Sequence, residues 1–234
     1  MSDDAPATPG RDSGRVNIFG WVLLAALAAV ALADWVAVAR ADRAAERLAK
    51  PAFMVALLAF AWLLHADEVP HGRWLLAGLA LCLVGDVLLL DSDVERRFRL
   101  GLSVFLLAHI AYLVALVEMP HASPLWLGVV LVGLVLVLAL AGGLVPLARR
   151  DPATGGPPTA YAVVLAGFAG YAWLTGHLLL GIGASLFVVS DALIGFTRFV
   201  RDFARSHVVV MVTYHVAQLL IVVGVLRPDV AGLG

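Results

Sequence analysis

The chain has 234 residues, of which 62% are hydrophobic and 14% charged, and its mean hydropathy is +0.96. A soluble domain carries roughly 25% charged residues, so the composition excludes one, and the net charge of −1 removes any case for nucleic-acid binding. The single cysteine, Cys82, excludes an internal disulfide and reads as a small packing residue in an apolar helix.

Residues 1–17, MSDDAPATPGRDSGRVN, are polar with Pro and Gly, and read as a disordered tail. Apolar runs of about 20 residues then recur, the length at which a helix crosses a bilayer. Spans are predicted at 18–39, 51–65, 73–91, 98–118, 124–148, 159–176, 178–199 and 206–226, with 227–234 a short C-terminal tail. The first run is too long for the apolar part of a signal peptide and lacks a convincing cleavage site, so it stays a membrane helix. The predicted fold is therefore all-α: a polytopic membrane bundle of eight transmembrane helices over 18–226.

Loop charge tests the count. Arg40, Arg43, Arg47 and Lys50 follow the first span; Arg96, Arg97 and Arg99 the third; Arg149 and Arg150 the fifth; Arg198, Arg201 and Arg205 the seventh. These are twelve of the sixteen basic residues, and basic loops stay cytoplasmic. Both termini are then extracytoplasmic, in a cell (inner) membrane. Trp21, Trp74 and Trp126 lie near span ends, as interfacial belt residues do.

A charge at the centre of a membrane helix costs roughly 2.5–3.5 kcal/mol on insertion scales, so polar residues inside the spans mark a site or a tie between helices. At about 1.5 Å per residue, Asp86 lies about 7–8 Å inside Asp91. Asp191 lies about 10 Å inside Arg198. His109 and Tyr112 on the fourth span climb to a similar depth, as do Tyr214, His215 and Gln218 on the eighth. Lys50 and Asp34 share that cytoplasmic half; Asp34 reads as an interfacial carboxylate and Ser190 as a packing residue. Gly85 beside Asp86, and Ala184 and Gly195 in line with Asp191, are small enough for close helix approach. The expectation is a polar pocket open to the inner leaflet.

Five segments carry a resemblance: RLAKPAFMVALL (47–58), GDVLLL (85–90), FLLAHIAYLVAL (105–116), GASLFVVSDALIGF (183–196) and VMVTYHVAQLLIVVGVL (210–226). In order and spacing they resemble the lysoplasmalogenase family, the YhhN-like integral membrane proteins. His215 departs from that pattern, standing where an aromatic is expected. The resemblance implies hydrolysis of the vinyl-ether bond of a lysoplasmalogen to a fatty aldehyde and a glycerophospho-base, with no metal or organic cofactor.

The residues suit such chemistry. A vinyl ether is cleaved by protonating its alkene carbon, which leaves an oxocarbenium ion for water to attack. That needs one carboxyl still holding its proton and one anion, as in glycosidases. Asp86 and Asp191 are the expected catalytic pair, with the deeper Asp191 marginally favoured as the acid. Lys50, read with Pro51 as a helix start, is expected to meet the phosphate through its charge and free N–H groups. Tyr112, Tyr214 and Gln218 are expected to hold water or glycerol hydroxyls, and His109 and His215 to line the same substrate site. Two other readings use the same residues: a zinc hydrolase with His109, His215, Asp86 and Asp191 as ligands, and a transporter with intramembrane Asp and Lys as coupling groups.

Overall fold

The computed structural model describes residues 18–119, 152–199 and 201–227. Among them run seven α-helices: α1 (Ile18–Ala39), α2 (Arg43–Leu63), α3 (Pro70–Leu89), α4 (Glu95–Val117), α5 (Pro152–Leu174), α6 (Leu178–Phe199) and α7 (Ser206–Leu226). A 3₁₀ turn, Ala66–Glu68, joins α2 to α3. No strand occurs among the described residues, as the all-α expectation requires. The span expected at 124–148 lies outside them.

Five segments are long and apolar enough to cross a membrane: Gly20–Ala39, Pro70–Leu89, Glu95–Val117, Leu178–Arg198 and Ser206–Leu226. A sixth, Ala160–Leu174, is apolar but shorter. The outer surface matches an oily solvent: Trp21, Val55, Trp62, Leu107 and Val189 all face outward. Such a surface would be costly in water and is at home in lipid.

The second helix departs from expectation. It begins at Arg43, well before the predicted start at residue 51, because Asp42 caps it: its Oδ1 accepts from the N–H groups of Ala44 and Ala45, each at 3.1 Å. Charged residues read as loop are thus the first turns of a helix. Pro51 sits inside α2, so the free N–H groups expected beside Lys50 lie instead near Asp42, where a helix start leaves them.

Helix neighbours follow chain order: α1 packs on α2, α3 on α4 and α6 on α7, with α5 bridging α4 and α6. α7 is the most buried of the five spans and touches α1, α2 and α3 as well. Two glycines set its approach to α6. A β-carbon on Gly183 would lie 2.9 Å from Leu220 Cβ and 3.0 Å from Ile221 N. One on Gly224 would lie 2.7 Å from the Leu180 backbone nitrogen. Gly85 likewise makes room for the Phe105 ring. Gly195, expected to do the same, has nothing among the described residues within 4 Å of a built β-carbon.

One end of the bundle is tied by charge. Arg43 reaches Asp93 at 3.2 Å, Arg47 reaches Asp91 at 2.9 Å, Arg97 pairs with the same Asp91, and Arg198 reaches Glu95 at 2.9 Å. The α1–α2 turn, the α3–α4 turn and the end of α6 therefore share one rim, the alternation loop charge implied. The opposite rim holds a His65–Glu68 contact and a Trp74 Nε1–H bond to Glu118.

Two stability outcomes are expected in thermal unfolding of the detergent-solubilised protein. Gly224→Val should cost about 1–3 kcal/mol, because the clash is with backbone that cannot rotate away. Asp42→Ala should cost about 1 kcal/mol, the usual loss on deleting an N-cap.

Candidate active site

The carboxyl of Asp86, on the last turns of α3, is buried at 1% exposure. The Tyr214 hydroxyl of α7 donates to its Oδ2 at 2.7 Å, and Lys50 Nζ of α2 stands 3.5 Å from Oδ1. Met54 Sδ lies 3.5 Å from the same tyrosine oxygen. Lys50 and Asp86 repeat, deeper in the bundle, the Arg47–Asp91 pair of the rim, so α2 and α3 are joined by two charged rungs. Lys50 is 5% exposed. Its ammonium faces Asp86, which corrects the expectation that it stands at a helix start.

Asp191, on α6, accepts from the Tyr161 hydroxyl of α5 through Oδ2. His109 of α4 stands beside it, with Nε2 3.8 Å from the same oxygen. The tautomer of that ring follows from its other nitrogen. Nδ1 lies 2.7 Å from the Phe105 carbonyl, and a carbonyl can only accept, so Nδ1 carries the hydrogen. Nε2 of the neutral ring is then a bare acceptor, buried without a hydrogen-bond partner.

Aromatic rings fill the space between these halves. The Phe187 centroid is 4.5 Å from that of His109 and 5.5 Å from that of Tyr214. Phe105 packs edge-on to Tyr214 at 6.0 Å. Next to this wall, the Tyr112 hydroxyl donates to Gln218 Oε1 at 2.8 Å and lies 3.6 Å from Cys82 Sγ. That bond aims the Gln218 amide nitrogen elsewhere, and it has no acceptor. Cys82 is thus a contact of Tyr112 as well as a packing residue. Ser190 donates to the Val210 carbonyl at 3.2 Å and ties α6 to α7.

His215 turns away from Asp86. Neighbours in a helix point about 100° apart, since a turn takes 3.6 residues, so Tyr214 and His215 cannot serve one carboxyl. The His215 ring stacks on Phe53 at 3.9 Å, its Nδ1 accepts from Trp35 Nε1 at 3.0 Å, and its Nε2 lies 3.8 Å from Asp34 Oδ2. Asp34 has 0% exposure and neither oxygen has a hydrogen-bond partner, so it is an interior carboxyl and not an interfacial one.

The expected residues thus group as Asp86 with Lys50 and Tyr214, Asp191 with His109, and Tyr112 with Gln218, while His215 joins Asp34. The zinc reading grouped His109, His215, Asp86 and Asp191; the structure divides those four side chains. Among the described residues no three His, Cys, Asp or Glu side chains group to hold a metal. Tyr161 was missed, and its only sequence signal was a hydroxyl in an apolar run. An open cavity of about 450 Å³ lies between the end of α1 and the α6–α7 turn, lined by Val38, Ala39 and residues 202–208, away from the two catalytic candidates.

Comparison with known proteins agrees with the motifs. The chain is 32% identical to a lysoplasmalogenase of Mycobacterium bovis over 185 residues, covering 75% of this chain and 69% of that one. It is 30% identical to the human lysoplasmalogenase TMEM86B over 183 residues, covering 76% and 74%. No solved structure matches. The family model described as the YhhN family matches residues 45–225, a stretch running from α2 through nearly all of α7, and the chain belongs to that family.

Proposed function

We propose that the protein is an integral membrane hydrolase that cleaves the vinyl-ether bond of lysoplasmalogens, releasing a fatty aldehyde and a glycerophospho-base. Relatives that carry the name lysoplasmalogenase support the substrate class. The observation that carries the chemistry is a pair of interior carboxyls, Asp86 and Asp191, each receiving a tyrosine hydroxyl. In this reading the chain crosses the cell membrane eight times, with 124–148 as the fifth span and both termini outside. The ion-paired rim then faces the cytoplasm, and a lysolipid enters with its tail among the helices and its head at that rim.

The two carboxyls differ in their partners, and the difference divides the work. Asp86 stands beside an ammonium, which favours its anion. Asp191 stands beside a hydroxyl and a neutral imidazole, and it serves as the acid. Its proton passes to the alkene carbon next to the one bearing oxygen, and the ether oxygen's lone pair forms the oxocarbenium ion. Asp86 takes a proton from the water that attacks this cation, giving a hemiacetal. Collapse returns the hemiacetal hydroxyl proton to Asp191 while Asp86 protonates the departing glycerol oxygen. Both carboxyls end as they began, and one water is consumed. The Phe187 and Phe105 faces suit the passing cation, which a ring quadrupole attracts. Tyr112 and Gln218 hold glycerol or water oxygens. Lys50 pairs with Asp86 and leaves the phosphate to the rim.

The reaction class is tested by incubating purified protein with a 1-alkenyl lysophospholipid and with its saturated-ether analogue. Aldehyde is expected from the first alone; none from either would overturn the reading. Asp86→Asn and Asp191→Asn should each lower turnover by about 10²-fold or more, the scale of losing a general acid or base. Asp191→Asn should keep the wild-type melting profile, whereas Asp86→Asn, which leaves Lys50 without its carboxylate, should lower it. Tyr161→Phe should keep activity but lower kcat by roughly tenfold, as expected when the hydroxyl that orients a catalytic acid is lost.

A further inference from the structure

His109 has no step of its own in the scheme above, yet one of its ring nitrogens is buried with nothing to bond. The side chain is 1% exposed, and its ring centroid lies 4.5 Å from that of Phe187, 5.6 Å from Phe168, 5.7 Å from Tyr161 and 6.5 Å from Tyr112. Four aromatic rings from α4, α5 and α6 thus surround the imidazole. Within that cage Nε2 has no hydrogen-bond partner. Among the described residues the one carboxyl within 4 Å of it belongs to Asp191, whose Oδ2 is 3.8 Å away. A buried polar atom left unpaired is costly to a fold.

The tautomer decides what could pair with it. Nδ1 gives its hydrogen to the Phe105 carbonyl at 2.7 Å, so Nε2 of the neutral ring offers a lone pair. An ionised Asp191 would set a second acceptor against that lone pair, with no hydrogen between them. A protonated Asp191 supplies the missing hydrogen: closing the gap by about 1 Å makes an O–H···N bond. Tyr161, which donates to the same Oδ2, is compatible with this, because a carboxyl oxygen that bears hydrogen still has lone pairs. The other buried His–Asp pair is built the opposite way. His215 also stands 3.8 Å from a carboxyl, but Trp35 donates to its Nδ1, so its Nε2 presents a hydrogen to Asp34 and not a lone pair.

We infer that His109 is a positioning residue for the general acid: its bare Nε2 receives the Oδ2 hydrogen of Asp191, keeps the acid loaded between turnovers and favours the proton's return at the end of each one. In the resting protein the hydrogen lies between Oδ2 and Nε2. It leaves Oδ2 for the alkene carbon, and for the life of the oxocarbenium ion the Asp191 anion faces a lone pair. That unfavourable pairing ends when the hemiacetal hydroxyl returns a proton to Asp191. His109 itself gains and loses no proton, and the role needs no contact with the substrate, so it replaces the substrate-lining role expected from the sequence. The inference rests on Asp191 being the acid of the proposed reaction, and it adds the group that holds the acid's hydrogen in place.

The test uses the full-length protein in detergent with a 1-alkenyl glycerophosphocholine, reading aldehyde release, thermal unfolding and infrared absorption. The wild-type spectrum minus that of Asp191→Asn should contain the C=O stretch of a protonated carboxyl. His109→Leu, which removes the acceptor, should move or abolish that band and lower kcat by about tenfold with KM unchanged. His109→Gln, whose amide oxygen can accept, should recover part of the lost kcat while still moving the band, since an amide has replaced an imidazole. A wild-type spectrum without the Asp191 band would overturn the inference. So would an unchanged band in either His109 variant, or wild-type kcat per folded molecule in His109→Leu. Where the leucine variant fails to fold, the wild-type band and the glutamine variant decide by the same criteria. In each of those cases wild type still releases aldehyde, so the hydrolysis stands; no aldehyde from wild type would instead sink the proposed function.

Discussion

Three helices meet at one buried charge pair. Lys50 of α2 faces Asp86 of α3 at 3.5 Å, and Tyr214 of α7 closes the group with a 2.7 Å hydrogen bond. In an apolar interior such a pair is a poor source of stability. Its desolvation cost rivals its attraction, and well-packed apolar side chains of the same volume often do as well or better. Losing one partner is another matter, costing about 3–5 kcal/mol because the other is left uncompensated. The pair is thus expensive to keep and hard to lose piecemeal. The neighbouring architecture is arranged to hold it: Arg47–Asp91 fixes the same two helices at the rim, and close packing of α7 on α6 at Gly183 and Gly224 fixes the third.

The second carboxyl is held by different means. Asp191 takes its support from Tyr161 and from a histidine whose tautomer is set by the Phe105 carbonyl. One site thus has an ammonium and the other only neutral groups, a contrast that separates acid from base in two-carboxyl hydrolases generally. The rings of Phe187 and Phe105 stand between them.

Sequence reasoning reached depth more easily than direction. Counting residues inward from the charged loops put Asp86, Asp191, His109 and Tyr214 at comparable levels, because rise per residue is nearly constant in a helix. Span ends at 18, 178, 206 and 226 were also legible, since apolar runs stop there at charges or turns. Rotation about the axis was not. Tyr214 and His215 look equivalent in the chain, yet one faces Asp86 and the other Asp34. Gly195 reads as a contact residue, yet no described residue comes within 4 Å of a β-carbon built on it. α2 was misread for a different reason: its first turns carry Arg43, Glu46, Arg47 and Lys50, and charge density masked a helix that one capping aspartate starts. Tyr161 escaped because a lone tyrosine in an apolar span is ordinary until its neighbour is known.

The direction in which His215 points matters for where the site ends. The residues matched by the family model begin after α1, and the five motifs lie within that match. The polar interior does not stop there. On α1, Asp34 lies 3.8 Å from His215 of α7, and its neighbour Trp35 donates to the same ring at 3.0 Å. In a bilayer no outer solvent satisfies a polar group buried this deeply, so every charge placed among these helices must find its compensation from another helix. The buried polar groups therefore reach α1, ahead of the first residue of the family match.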